Sequence, residues 1–343
     1  MLDYKKTGTF LASKRKQAQM TQADVAQKLG VSFQAVSKWE NGTLPFPEIP
    51  HPVLVLKSEE PGSKQKLAME YGYSESICHD MINHLVNDIM VMGARPLAVL
   101  DTIVCGSAEK ETIKSFIKGI SDACRENGCS LVGGETSIQP QVVEKGVYVL
   151  TSSIAGILSK DKVIDGSGIT EGDTVLAVAS NGLHTNGYSL VRMLMDQMPQ
   201  IKLEKIDGET FIEQIMKPHT TYRNAMGNLL ECPGIHGMAH ITGGGIQGNL
   251  CRILPDNLYA DIDLSKIKTL PIFRYIQRIG NIDEAEMLST FNCGVGLIVV
   301  VSERYAEQAI RNIAKYHDCY EIGRIRKGSG KVLFRNSVNW ESL

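Results

Sequence analysis

Apolar and polar positions follow two different rhythms along the chain. Residues 7–42 read as short helices. Thr21-Gln22-Ala23-Asp24 makes a helix start of the capping-box kind, Val25, Ala26 and Leu29 share one apolar face, and Gly30 ends the helix. Ser32 caps a second helix, Phe33 to Glu40, with Val36 and Trp39 inward and Gln34, Ser37 and Lys38 outward. From His51 on, apolar runs of strand length alternate with helical periods. Strands are predicted at 53–57, 97–105, 129–132, 147–158, 173–180, 293–301, 319–325 and 331–335. Helices are predicted at 77–93, 110–127, 187–197, 220–231, 246–254, 271–279 and 302–316. The alternation predicts an α/β fold, and Asp165-Gly166-Ser167-Gly168 is the best internal boundary.

Composition narrows the function classes. A chain of 343 residues has room for two domains and a small third, and 43% hydrophobic with 22% charged residues excludes a largely disordered chain. A net charge of −2 excludes a protein that is basic throughout, yet residues 1–50 carry +3 and the remainder −5, so the two stretches are expected to face different partners. No run reaches the ~18 apolar residues of a membrane span, and the N-terminus lacks the apolar core of a signal peptide. The eight cysteines form no C-x-x-C pair and read as reduced core residues. A cytoplasmic location without membrane contact is expected.

Two short helices joined by a tight turn form the helix-turn-helix pattern. TQADVAQKLGVSFQAVSKWENG resembles the DNA-binding helix-turn-helix of the phage-repressor-like (XRE) family, over residues 1–45. The resemblance implies a small all-α segment whose second helix enters the major groove with Gln34, Ser37 and Lys38. Such domains usually continue through further helices. Here Pro45, Pro47, Pro50 and Pro52 follow and cannot propagate one, so a truncated module, with a deletion at the junction near 45–51, is expected.

Candidate chemistry lies in the larger part. Asp80, His84, Asn87 and Asp88 share one face of a helix that is apolar almost everywhere else. Such a stripe lines a cavity or pairs internally, and the cavity is the expectation. Asp101 interrupts an apolar strand, and Gly133-Gly134-Glu135-Thr136 is read as the end of another, where backbone can approach a ligand and Glu135 sits at the mouth. Asp88, Asp101 and Glu135 are hard oxygen ligands of the kind that suit magnesium bridged to phosphates, and they are expected near one another in a parallel-type unit. Asn181 to Gly187 and His240 to Gly245 each place donors before a helix, where anions are favoured. Lys327-Gly328-Ser329-Gly330-Lys331 only imitates a P-loop and reads as a hairpin turn.

The order of these pieces carries a second resemblance. VNDIMVMGARPLAVLD, CSLVGGET, DKVIDGS, SNGLHTNGYSLVR, GMAHITGGGI and TFNCGVG resemble, in that order over residues 51–326, the phosphoribosylformylglycinamidine cyclo-ligase (aminoimidazole ribonucleotide synthetase) family. The resemblance implies an α+β fold of two domains, 51–165 for ATP binding and dimerisation and 169–343 after it, in a homodimer that uses ATP and Mg2+. It implies ring closure of formylglycinamidine ribonucleotide to aminoimidazole ribonucleotide in purine biosynthesis. Asp88 and Glu135 would hold the metal, with Glu59 as a further ligand, and Glu59, Lys64, Asn87, Asp101, Gly133 and Gly134 would contact the nucleotide. Asp88, Glu135, His184 and His240 would be catalytic, and Thr185, Asn186, Thr242, Gly243, Gly244 and Gly245 would hold the ribonucleotide.

The family loop reads T-D-G-V-G-T-K. This chain has Glu59 for the Asp and Glu60-Pro61 for Gly-Val, and the helix-turn-helix replaces a glycine-rich segment that closes over ATP. An alternative is therefore a catalytically weakened paralogue that binds a purine-pathway ribonucleotide and regulates DNA binding. A kinase or synthetase of the wider superfamily is a third reading, which SNGLHTNGYSL and HITGGG disfavour.

Overall fold

A computed structural model describes residues 4–29, 32–42, 49 and 51–341. The chain forms two compact units, which divide between Pro52 and Val53. The first contains α1 (Tyr4–Gln17), α2 (Gln22–Leu29) and α3 (Phe33–Glu40). Thr21 and Asp24 cap α2 reciprocally: Asp24 N–H donates to Thr21 Oγ1 at 3.1 Å and Thr21 N–H donates to Asp24 Oδ2 at 2.7 Å. Ser32 Oγ accepts from Ala35 N–H at 3.2 Å, as the capping reading requires. Arg15 joins the end of α1 to the end of α3 through two bonds to Glu40, at 2.5 and 2.9 Å. Gln34 and Lys38 are exposed and Ser37 is half-buried. The helix stop at Gly30 and the prolines at 45, 47 and 50 lie outside the described residues, while Pro52 opens a strand.

The second unit begins with β1 (Pro52–Glu59), α4 (Lys64–Tyr71), α5 (Ser74–Met90), β2 (Arg95–Cys105), α6 (Lys110–Glu126), β3 (Ser130–Ile138) and β4 (Tyr148–Ser159). Its first sheet has the order β1-β4-β2-β3, with β2 parallel to β3 and antiparallel to β4. The sheet is thus mixed rather than parallel. Val99, Ile103 and Cys105 of β2 face the core, where α5 and α6 bury Ile82, Leu85, Phe116 and Ile120. The opposite face exposes Leu54, Leu56, Leu100 and Val132, each more than half accessible.

The chain continues as β5 (Thr174–Ala179), α7 (Tyr188–Gln197), β6 (Lys205–Ile206), β7 (Glu209–Thr210), α8 (Phe211–Ile215), α9 (Arg223–Leu229), β8 (Ile235–His240), α10 (Gly245–Leu250), β9 (Leu258–Asp263), α11 (Pro271–Gly280), α12 (Glu284–Thr290), β10 (Val295–Val301), α13 (Ala306–Ile313), β11 (Cys319–Lys327) and β12 (Val332–Arg335). The second sheet runs β12-β9-β11-β5-β10-β8 and is antiparallel except where β12 meets β9. Every residue of β10 is buried, as an all-apolar strand covered on both faces should be.

Three expectations change here. Segment 133–136 is not the end of a strand but the middle of β3. Residues 327–331 do not close a hairpin, because β12 and β11 lie on either side of β9. The helix expected at 246–254 ends at Leu250 and gives way to turns. No helix among the described residues is long and apolar enough to cross a membrane.

Candidate active site

The polar stripe of α5 is the frame of the site. At its N-terminal end Asp80 Oδ1 accepts from Lys64 Nζ at 2.8 Å and from the His219 N–H at 2.7 Å. Lys64 Nζ also donates to the carbonyls of His184 at 3.1 Å and Lys217 at 2.7 Å. Both side chains have no solvent exposure. Burial pushes the Asp80 carboxyl up to about 6 against the pull of Lys64, and pushes Lys64 down. A buried pair of this kind contributes little net stability against an apolar replacement, but loss of one partner strands a charge. The expectation that Lys64 contacts the nucleotide is corrected here: all three of its N–H groups are engaged inside the protein.

The stripe continues along the same face. Asn83 Nδ2 donates to the His219 carbonyl at 2.7 Å. Asn87 Nδ2 donates to the Thr220 carbonyl at 2.8 Å, and its Oδ1 accepts from the Tyr222 N–H at 2.9 Å. Asp80, Asn83 and Asn87 therefore satisfy the backbone of residues 219–222, which has no regular secondary structure to do so. This is internal pairing, not the cavity expected. Asn87 is likewise a strut of the frame rather than a group free for nucleotide. Asn83, on the same face, was missed, although its spacing from Asp80 and Asn87 would have revealed it.

Only the C-terminal end of the stripe is open. Asp88 Oδ2 lies 3.1 Å from Lys57 Nζ and 3.5 Å from His84 Nε2. Glu59 Oε2 lies 3.0 Å from the same ammonium and 3.6 Å from the same imidazole. Asp88 Oδ1 accepts from His240 Nδ1 at 2.7 Å. Burial raises the Asp88 carboxyl, but the hydrogen bonds from His240 and His84 outweigh it and hold the group well below the usual range. Glu59 and Asp88 thus converge on one cation-sized position. The donors fit a hard divalent ion, provided that the Lys57 ammonium withdraws from it.

Asp101 and Glu135 do not join them on one face. Strand register pairs Asp101 with Gly134 and Thr102 with Glu135, and paired positions share a face. Asp101 is buried on the helix side, where burial raises its carboxyl. It lies over Gly134, where any Cβ would stand 2.1 Å from Asp101 Oδ1. Glu135 follows Thr102 onto the exposed face, as strand alternation requires, so the expected cluster of Asp88, Asp101 and Glu135 does not form within one chain. Gly133 is exposed in the same strand beside Leu100.

Two loops of the second sheet adjoin this end. Residues 181–187 precede α7 and residues 240–245 run from β8 into α10, with Asn186 Oδ1 only 3.3 Å from where a Cβ on Gly243 would be. Thr185, Asn186 and Thr242 are partly accessible and Gly243 and Gly244 exposed, whereas His184 and His240 are buried. Gly245 is buried too, with φ of 60° and the Leu288 carbonyl 1.8 Å from a would-be Cβ, so it serves packing rather than ligand approach. Asn249 holds the loop shape by donating to the Gly245 carbonyl at 2.8 Å.

Comparison with known proteins matches this arrangement to described families. Residues 54–158 match the N-terminal domain of AIR synthase related proteins, residues 170–336 match the C-terminal domain, and residues 11–47 match a helix-turn-helix model. The phosphoribosylformylglycinamidine cyclo-ligase of Chromobacterium violaceum is 41% identical over 281 residues, 81% of each chain. That of Methylobacillus flagellatus is 42% identical over 307 residues, 88% of this chain and 85% of the relative. This chain belongs to the phosphoribosylformylglycinamidine cyclo-ligase family. A solved structure titled hydrogenase maturation protein HypE in complex with ATP shares the fold, with a TM-score of 0.62 at 17% identity over 85% of this chain and 83% of that one. The two AIR synthase related models take in α5 and both loops, so the paired frame lies within the matched regions.

Replacing Lys64 with Met leaves Asp80 buried and uncompensated. Lys64→Met is expected to lower unfolding stability by about 3–5 kcal/mol in urea titration, and Lys64→Met combined with Asp80→Asn to recover part of the loss. A single variant as stable as the parent would contradict this placement of the charge.

Proposed function

We propose that this chain closes the imidazole ring of formylglycinamidine ribonucleotide, consuming ATP and yielding aminoimidazole ribonucleotide, ADP and phosphate. The observation that carries the reading is the bond between His240 and Asp88. It joins the loop expected to hold the ribonucleotide to the carboxylate expected to face the triphosphate. The substrate amide oxygen attacks the γ-phosphorus and ADP leaves. The substrate amine then attacks the activated carbon, and the amide oxygen departs as phosphate. This transfer needs positioning and charge neutralisation more than covalent help from the protein. Mg2+ held by Glu59 and Asp88 would neutralise the phosphoryl oxygens. Thr185, Asn186, Thr242 and the exposed Gly243 and Gly244 would orient the ribonucleotide. ATP use is supported by the ATP-bound relative in fold.

A second reading has its own observation. Lys57 places its ammonium within 3.1 Å of Glu59 and Asp88, two of the three carboxylates expected to hold the metal. Burial lowers the Lys57 pKa, but the two carboxylates outweigh it and raise it, so the charge stays in place at neutral pH. A tethered cation there competes with Mg2+ and would weaken catalysis, as in a paralogue that binds the ribonucleotide to regulate DNA binding.

The remaining assignments belong to the same proposal. The protein is taken as a cytoplasmic homodimer with domains at 51–165 and 169–343. The partner would cover the exposed face bearing Leu54, Leu56, Leu100 and Val132, and Glu135 would then enter the subunit contact. Residues 1–45 would bind DNA through Gln34, Ser37 and Lys38.

Four outcomes test these readings. Asp88→Asn should reduce Mg2+-dependent ATP turnover by ~10²-fold or more with the fold intact, by analogy with loss of one preorganised stabilising group; unchanged turnover would refute the assignment. Lys57→Met should tighten Mn2+ binding by about tenfold or more in calorimetry, since a unit charge a few ångströms away is worth over a kcal/mol, and equal affinities would exclude the second reading. Light scattering should give twice the chain mass at micromolar protein, and a monomer would remove the dimer. DNA affinity should fall steeply between low and physiological salt, as phosphate contacts require; no DNA binding at low salt would dismiss the groove-binding role.

A further inference from the structure

Four imidazoles gather beneath the two loops. His184 and His219 stack with centroids 4.0 Å apart, His219 and His240 lie 4.9 Å apart, and His84 is 5.2 Å from each of His219 and His240. A packing role alone leaves one fact unexplained. Neither ring nitrogen of His184 has a hydrogen-bond partner among the described residues, although the side chain is 1% exposed. His219 Nε2 and His240 Nε2 point at each other at 2.8 Å. Asp88 is an acceptor, so the His240 proton sits on Nδ1 and its Nε2 lone pair accepts from His219 Nε2–H, with Asn87 Nδ2 at 3.4 Å.

We propose that His184, His219 and His240 form a binding site for one borderline divalent transition ion of the zinc or cobalt class. One ring nitrogen from each of the three lies within 4.8 Å of the others. The His219 and His240 nitrogens, 2.8 Å apart, need to open by about 0.5 Å to straddle a tetrahedral ion at a metal–nitrogen distance of ~2.05 Å, and the His184 ring, stacked on His219 with planes 21° apart, has to turn so that its in-plane lone pair meets the same point. Imidazole nitrogen suits zinc, copper, nickel and cobalt, and does not suit Mg2+, so this site is chemically separate from the Glu59–Asp88 carboxylates. In bound histidines the other ring nitrogen is fixed by a hydrogen-bond partner, and two of the three rings have one. His240 Nδ1 meets Asp88, and His219 Nδ1 lies 3.5 Å from Thr185 Oγ1. The three come from different segments: the loop before α7, the 216–222 connection held by α5, and the end of β8. An ion here would clamp both ribonucleotide loops to the frame of α5, and three protein ligands would leave a fourth position open.

The test uses the full-length chain without a histidine tag, loaded with Co2+ or Zn2+ and dialysed. Expected are one ion per chain by elemental analysis, a tetrahedral Co2+ absorption band, and imidazole scattering from three ligands at the zinc edge. His219→Asn should lose the ion, whereas Glu59→Gln should keep it. Metal content far below one ion per chain, or a zinc-edge spectrum without imidazole, would overturn the proposal without reference to any variant's folding. Loss of Co2+ in Glu59→Gln with retention in His219→Asn would place the ion at the carboxylates and would equally overturn it.

Discussion

A lysine ammonium with no solvent contact is tolerable only if each of its donors is answered, and Lys64 meets this condition with Asp80 and two carbonyls from outside its own helix. The three acceptors come from α5, from the loop before α7 and from residue 217. One side chain thus ties the helix under the first sheet to two connections of the second. Asp80 Oδ1 also accepts from the His219 N–H, so the pair sets where that irregular segment runs, while the buried Oδ2 has no hydrogen-bond partner among the described residues. Once residues 219–222 are seated on Asp80, Asn83 and Asn87, His219 is brought against His184 and His240. The open end of the same helix then presents Asp88 to Glu59, Lys57 and His240.

This dependence explains why the site divides into a sealed part and an accessible part. Residues expected to touch ligands on chemical type alone fall on both sides of that division. Lys64, Asn87, His184 and Gly245 are structural or buried; Glu59, Asp88, Thr185, Asn186, Thr242, Gly243 and Gly244 remain within reach of a solute. Glu135 faces away altogether, because a strand directs neighbouring residues to opposite faces and its neighbour Gly134 takes the inner one opposite Asp101.

Much of the fold was legible because its signals are local. The caps at Thr21 and Ser32, the apolar runs of β2, β4 and β10, and the near-complete apolarity of α5 all state their surroundings directly. β8 and β9 were not read as strands. Ile235 to His240 carries a glycine and two histidines, and its strand state comes from pairing with β10. Leu258 to Asp263 does alternate apolar residues with Tyr259, Asp261 and Asp263, and acids count against a strand by propensity. The partners of the α5 stripe were illegible for another reason. Asn83 and Asn87 bond backbone groups well over a hundred residues away, and a backbone acceptor leaves no mark in side-chain chemistry.

The central claim is that α5 and residues 217–222 form one cooperative body through the buried charge pair. Native-state hydrogen exchange at the His219 amide, which donates to Asp80 Oδ1 at 2.7 Å, measures that claim most directly. Protection equal to the slowest amides of β10 is the expected result, since the bond should open only on global unfolding. Exchange as fast as that of an exposed turn would show that the segment opens on its own, and that the pair does not hold the site together.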